Sequence, residues 1–201
     1  MDYRTIRGGG AAVLLAVVLA QPVSAQRVGE WATNLSYSPV MGVGDTKDFI
    51  DGLSWRGVTL DFEKGVTSSF TVGGSAGWHV LADESSGTST FEGGAATGTA
   101  FRYMNAVPLF LTASYFAGRP DTTRPFIGIG AGTIWAESRT EAGVFFSEES
   151  NWHAGFMGEA GVSIQRPDGT MTLAVRYNYA LETNDVEHTY LTFSVGFTVV
   201  N

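Results

Sequence analysis

The chain contains no cysteine, and that absence excludes a disulfide scaffold, a thiolate metal centre and a cysteine nucleophile together. Charge is also scarce: 16% of the 201 residues are Asp, Glu, Lys or Arg, where soluble domains carry roughly 25%. What charge exists leans acidic, 20 carboxylates against 12 basic side chains for a net −8. Phosphate recognition needs a clustered basic surface. The sequence has none, so no nucleic-acid partner is expected. Helical spacing of apolar residues is nearly missing, whereas glycine is abundant at 26 residues, a combination foreign to helical and α/β enzymes.

One apolar run stands out. Arg4 and Arg7 precede Ala11–Ala20, which is followed by Gln21-Pro22 and the small-residue exit Val23-Ser24-Ala25. The run is too short to span a bilayer and has the three-part layout of a secretory signal peptide. The reading is a leader over residues 1–25 and a mature domain over 26–201. Removing Asp2, Arg4 and Arg7 takes the charge from −8 to −9.

The mature sequence alternates apolar and polar residues with period 2, the signature of strands with one buried and one polar face. The clearest case is Leu191, Phe193, Val195, Phe197 and Val199 against Thr192, Ser194, Gly196 and Thr198. The same pattern recurs from Trp31, Arg56, Phe70, Val107, Ile127, Trp152 and Met171 onward, giving eight strands. Brief turns ("EKGV", "GRPDTTR", "RPDGT") alternate with longer connections, Gly42–Leu53, Ala82–Thr99, Glu137–Ser150 and Glu182–His188. Short turns on one rim and long loops on the other characterise membrane barrels. The expected fold is therefore all-β, an eight-stranded antiparallel up-and-down transmembrane β-barrel. Asp168-Gly169 is the expected two-residue hairpin turn, and Asp45 or Thr46 the expected cap of a helical turn in the first loop.

Periodicity alone does not say which face points inward. A secreted lipocalin is also an eight-stranded barrel but has an apolar interior, and Gly29-Glu30-Trp31 matches its G-x-W signature. Two features favour the membrane barrel. Gly57, Gly73, Gly77, Gly128, Gly130, Gly132, Gly155, Gly161 and Gly196 fall on the polar face, where a narrow lumen demands small residues. Aromatics fall on the apolar face near strand ends: Trp78, Tyr103, Trp135, Trp152 and Tyr179 toward the long loops, and Trp31, Phe62, Phe70, Tyr115 and Phe197 toward the turns. A tilted strand from Phe70 to Trp78 covers roughly 23 Å, the height of an apolar band.

The segments "GDTKDFIDGLSWRGVTLDF", "SFTVGGSAGWHV", "RPFIGIGAGT" and "AVRYNYALETNDVEHTYLTFSVGFTV" resemble the outer-membrane β-barrel domain family of small OmpA/OmpX-like or OmpW-like proteins. The resemblance implies a Gram-negative outer-membrane location, insertion by the barrel assembly machinery, contact with outer-membrane lipid and lipopolysaccharide, periplasmic termini and external loops. It supplies no reaction and names no extracellular partner. One departure is the tail of four residues from Thr198 to Asn201 after the last aromatic, Phe197.

No catalytic set, cofactor or metal site is expected. The residues two after His79, His153 and His188 are Leu81, Gly155 and Tyr190, so the His-x-Ser pair of a lipid A deacylase is missing. His79 and His153 face inward without a second close ligand and read as hydrogen-bonded fillers. "GIGAGT" lies within a strand with no helix behind it, unlike a phosphate loop.

By parity Asp61, His79, Arg102, Glu159 and Arg176 face the lumen, with Glu159 and Arg176 as diagonal neighbours. These charges read as a salt-bridged plug, because unpaired buried charges are not tolerated; an ion path is the alternative. Arg56 falls on the lipid face with Val58 and Leu60, where its guanidinium reaches headgroup phosphates; a bulge at Gly57 would instead turn it inward. Trp78, Trp135 and Trp152 share this lipid-interface anchoring role. The long loops are acidic (Asp45, Asp48, Asp51; Asp83, Glu84, Glu92; Glu137, Glu141, Glu148, Glu149; Glu182, Asp185, Glu187), which reads as a solvated rim. Phe145 and Phe146 form a candidate contact tip. The composite expectation is a small barrel with a structural or surface-binding role, with a narrow solute channel or a lipocalin-like carrier as alternatives.

Overall fold

The computed structural model describes residues 28–91, 94–120, 122–142, 145–166, 169–184 and 186–200, with side chains described outside 84–101 and 141–146. The expected leader, residues 1–25, lies outside the described residues. So do the side chains of Glu84, Glu92, Glu141, Phe145 and Phe146, and the whole of Asp185.

The elements are β1 (Trp31–Tyr37), β2 (Val40–Gly42), α1 (Asp45–Phe49), β3 (Leu53–Ser54), β4 (Arg56–Gly65), β5 (Phe70–Phe91), β6 (Gly94–Phe116), β7 (Arg124–Ala142), β8 (Phe145–Arg166), β9 (Gly169–Thr183) and β10 (Val186–Val200). Every neighbouring pair is antiparallel. The order β1-β4-β5-β6-β7-β8-β9-β10 closes on itself through β1 and β10, making a ring of eight strands. β2 and β3 prolong this wall. Tyr37 pairs with Val195 and Val40 with Thr192, so β1 and β2 follow β10 in one register across Ser38-Pro39. Pro39 has no N–H to give, but its carbonyl accepts from Phe193 N at 2.9 Å.

The apolar face points outward. Leu111 and Ile129 are 79% and 70% exposed, whereas the polar-face residues His79 and Thr192 are fully enclosed. This orientation is opposite to a lipocalin's and removes that alternative. Crowding explains the glycines of the inner face. A Cβ on Gly73 would lie 1.8 Å from the Phe62 carbonyl oxygen, and one on Gly132 2.1 Å from that of Leu109.

Three expectations change. The second and third long loops are not loops, because their strands continue as ladders to the pairs Phe91–Gly94 and Ala142–Phe145. Ser and Thr around residues 85–90 and 147–150 sustain extended backbone without an apolar face, so the strand pattern fades where the ladder does not. The β8–β9 ladder closes on Arg166–Gly169, one residue earlier on each strand than an Asp168-Gly169 turn gives, so every partner shifts by two residues. Finally, α1 is preceded by Gly44, with no side-chain cap bond. Asp45 and Thr46 both lie inside the helix, and Thr46 Oγ1 accepts from Thr189 N on the wall instead.

Candidate functional site

The lumen is a stack of four layers. Nearest the short turns, Arg176 on β9 donates through Nε to Glu159 on β8, through Nη2 to Asp61 Oδ1 on β4 at 2.9 Å, and through Nη1 to Ser75 Oγ on β5 at 2.7 Å. Ser75 donates in turn to Asp61 (2.6 Å), whose other oxygen accepts from Asn34 Nδ2 (3.1 Å). Glu63 stands beside this group and accepts from Thr71 and Ser114 at 3.1 and 3.0 Å. One guanidinium thus crosses the lumen to join two carboxylates, with a third nearby. Below it lies a cavity of about 60 Å³ lined by Asp61, Glu63, Glu159 and Arg124. Arg124 ties the turns together, donating to the carbonyls of Ser68 (2.7 Å) and Phe116 (3.2 Å) and stacking on the Phe116 ring.

The second layer is neutral. His79 is hydrogen-bonded through Nε2 to Thr59 Oγ1 (3.1 Å) and through Nδ1 to the Tyr190 hydroxyl (3.3 Å). Above it, Phe110, Met157, Ile134, Met104 and Leu81 form an apolar cluster together with Val40 and Ile50 of the first connection. That connection folds into the barrel mouth rather than away from it. Ile50 is enclosed, Val43 N donates to Thr189 O at 3.0 Å, and Arg102 grips the end of α1 through the Phe49 carbonyl (3.1 Å) and ring.

The outermost layer is a cavity of about 590 Å³ whose lining includes Asp45, Glu149, Glu182, Glu187, His153 and His188. The rings of His153 and His188 stand edge to face with centroids 5.1 Å apart. His188 lies on β10 at its long-hairpin end, three residues before Leu191.

The five lumen residues read from parity do all point inward, but they form three groups. Asp61, Glu159 and Arg176 meet, with Glu159 and Arg176 directly opposite rather than diagonal. His79 bonds to hydroxyls, and Arg102 serves the first connection. Glu63 and Arg124 were missed, although period 2 carries Asp61 to Glu63 and Gly128 back to Arg124. His188 was missed as a mouth residue because Glu182–His188 read as a long connection, although β10 pairs in one register from His188 onward and the parity of Thr192 carries back to it.

On the outer wall Trp135 and Trp152 stand opposite each other on β7 and β8, and Trp78 opposite Val58. Arg56 begins β4 opposite Val80, and the β4–β5 pairing runs without a shift from Arg56 to Gly65. No bulge turns it inward, and it lines an outward groove with Val58, Trp78 and Val80. Toward the turns, Phe70 pairs with Tyr115. Phe197 pairs with the exposed Leu35 on the outer wall and lays its ring over Gly169.

No family model matches the chain, and no curated protein matches it in sequence. Solved structures do. The outer membrane protein OprG from Pseudomonas aeruginosa superposes with a TM-score of 0.53 at 12% identity, covering 88% of this chain and 99% of that one. Neisserial surface protein A superposes with a TM-score of 0.50 at 14% identity, covering 85% and 95%. The chain has the fold of the small eight-stranded outer-membrane barrels.

Proposed function

We propose that this protein is an integral outer-membrane barrel with a closed lumen, acting as a structural element or through its projecting hairpins. The observation that carries the reading is the filled interior: the Arg176 cluster, the His79–Tyr190 layer and the apolar cluster around Ile50 succeed one another along the axis. Eight strands leave room for side chains and little else. An outer surface of exposed Leu, Ile and aromatic residues suits lipid, and the matched folds belong to proteins described as outer-membrane or surface proteins. On this reading residues 1–25 are removed on export, the assembly machinery inserts the chain, and Arg56 with Trp78, Trp135 and Trp152 meets lipid and lipopolysaccharide at the outer boundary. The acidic, tall β5–β6 and β7–β8 hairpins face the exterior, and no catalytic set is assigned.

The test is fractionation followed by electrophoresis with and without boiling, and reconstitution into planar bilayers. The expected result is a heat-modifiable outer-membrane band starting at Gln26 and no large single-channel currents. Recovery as a detergent-free periplasmic protein overturns the location, and large, stable conductance overturns the closed lumen in favour of a channel.

A further inference from the structure

The two imidazoles at the outer mouth are not used by anything described above. His153 is almost wholly enclosed, and its Nδ1 lies 2.9 Å from the Leu181 carbonyl oxygen. A carbonyl only accepts, so Nδ1 carries the proton and Nε2 keeps its lone pair. Fixing one nitrogen of an imidazole on a backbone carbonyl is how proteins orient the other toward a metal. His188 is 8% exposed and packs edge to face against the His153 ring. Both rings line the same cavity of about 590 Å³, with Glu149, Glu182, Glu187 and Asp45 around it.

The spacing is informative. Imidazole nitrogens bind late first-row ions at about 2.0–2.1 Å, and at a tetrahedral angle this puts two ring centroids roughly 5 Å apart. The His153 and His188 centroids are 5.1 Å apart. Among the described residues no three His, Asp or Glu donors already converge on one point. The ion would therefore take two imidazoles from the wall, with water filling the remaining positions and the rim carboxylates supplying compensating charge.

We propose that the outer mouth binds one late first-row divalent cation, of the Zn²⁺ or Cu²⁺ class, through His153 Nε2 and the His188 imidazole. Imidazole donors select this class over Ca²⁺ and Mg²⁺, which prefer all-oxygen shells. Attribution is simple, because the chain has three histidines and His79 is committed to Thr59 and Tyr190.

The experiment uses the untagged mature barrel refolded in detergent micelles, titrated with Zn²⁺ by calorimetry and with Cu²⁺ by electron paramagnetic resonance. One equivalent of Zn²⁺ should bind. His153→Gln and His188→Gln should each weaken it about tenfold or more, while His79→Gln, away from the mouth, should leave it unchanged. The Cu²⁺ spectrum of the unaltered protein should show coupling to two nitrogens, falling to one in His188→Gln. Heat-modifiable migration verifies the fold of each variant. The proposal is overturned by an oxygen-only Cu²⁺ spectrum in the unaltered protein, by Zn²⁺ binding that survives both mouth substitutions, or by Ca²⁺ competing on equal terms.

Discussion

Arg176 and Glu159 face each other directly across β8 and β9, yet the same guanidinium reaches over the lumen to Asp61 on β4. It therefore clamps opposite walls of the ring, where an ordinary cross-strand pair would join only neighbours. The Ser75 hydroxyl closes the figure by accepting from Arg176 and donating to Asp61. Breaking a buried ionic group by removing one member strands the others without solvent.

The first prediction follows from that asymmetry. Arg176→Met leaves two enclosed carboxylates without a cation and should cost about 3–5 kcal/mol. Glu159→Gln leaves Arg176 its bonds to Asp61 and Ser75 and should cost less, about 1–3 kcal/mol. Glu148→Gln removes an exposed partner of Arg139 at 3.9 Å and should change stability by about 0–1 kcal/mol. Urea titrations in detergent give the order; equal losses in all three variants would contradict the clamp.

The second prediction tests the crowding of the wall. Gly73→Ala places a methyl group against the Phe62 carbonyl of β4, a backbone atom that cannot swing away. Gly158 has nothing within 4 Å of the corresponding position. Gly73→Ala should abolish or sharply reduce refolding yield, whereas Gly158→Ala should refold like the parent. The readout is the heat-modifiable fraction on a gel.

The third prediction concerns the first connection. Ile50 is its apolar foot and Thr46 its polar tie to Thr189 N. Ile50→Ala opens a cavity costing about 2–5 kcal/mol, and Thr46→Val orphans a buried N–H at about 1–3 kcal/mol. Much of that loss should appear as local release of the segment, since sub-global opening needs less than global unfolding. Exposed Lys47 within α1 is the reporter. Trypsin should cut there faster in both variants while the barrel stays heat-modifiable, and unchanged cleavage would mean the segment is held by something else.

How far the sequence reached depends on which signal was strong. Where a strand separates lipid from lumen, each residue has one permitted face, so the alternation around Leu191–Val199 and Phe70–Val80 located the barrel, its inward charges and its girdles. Beyond the band both faces are wet, and the strand continuation through residues 85–91, 94–100 and 145–150 left no such trace. Register was the other loss. A turn read as Asp168-Gly169 keeps the parity of β8 and β9 but misplaces each pair, enough to make Glu159 and Arg176 diagonal instead of opposite. The inward fold of Gly42–Leu53 was illegible because Phe49 and Ile50 form a two-residue apolar step between Asp48 and Asp51, with no period to reveal what they meet. The mouth pair of His153 and His188 is a contact between strands that are not sequence neighbours, and single-strand parity carries no information about it.

The last prediction concerns Arg56. It is exposed on the outer wall, beside Val58 and opposite Val80, at the end of β4 nearest the first long connection. Trp78, two residues before Val80 on β5, lies against the same groove. A guanidinium at the bilayer midplane costs roughly 2–4 kcal/mol, but one at the interface costs about 0–1, because the side chain snorkels to the headgroups. Its planar fork also suits bidentate phosphate contact. Arg56 should therefore respond to lipid phosphate rather than to the lumen. The unaltered barrel should be stabilised more by lipopolysaccharide-containing bilayers than by phosphatidylcholine alone, and Arg56→Ala should erase most of that difference while behaving like the parent in phosphatidylcholine. A photoreactive residue at position 56 should capture lipid. Capture of lumen residues such as His79 or Tyr190, or a lipopolysaccharide effect untouched by Arg56→Ala, would reject the anchor.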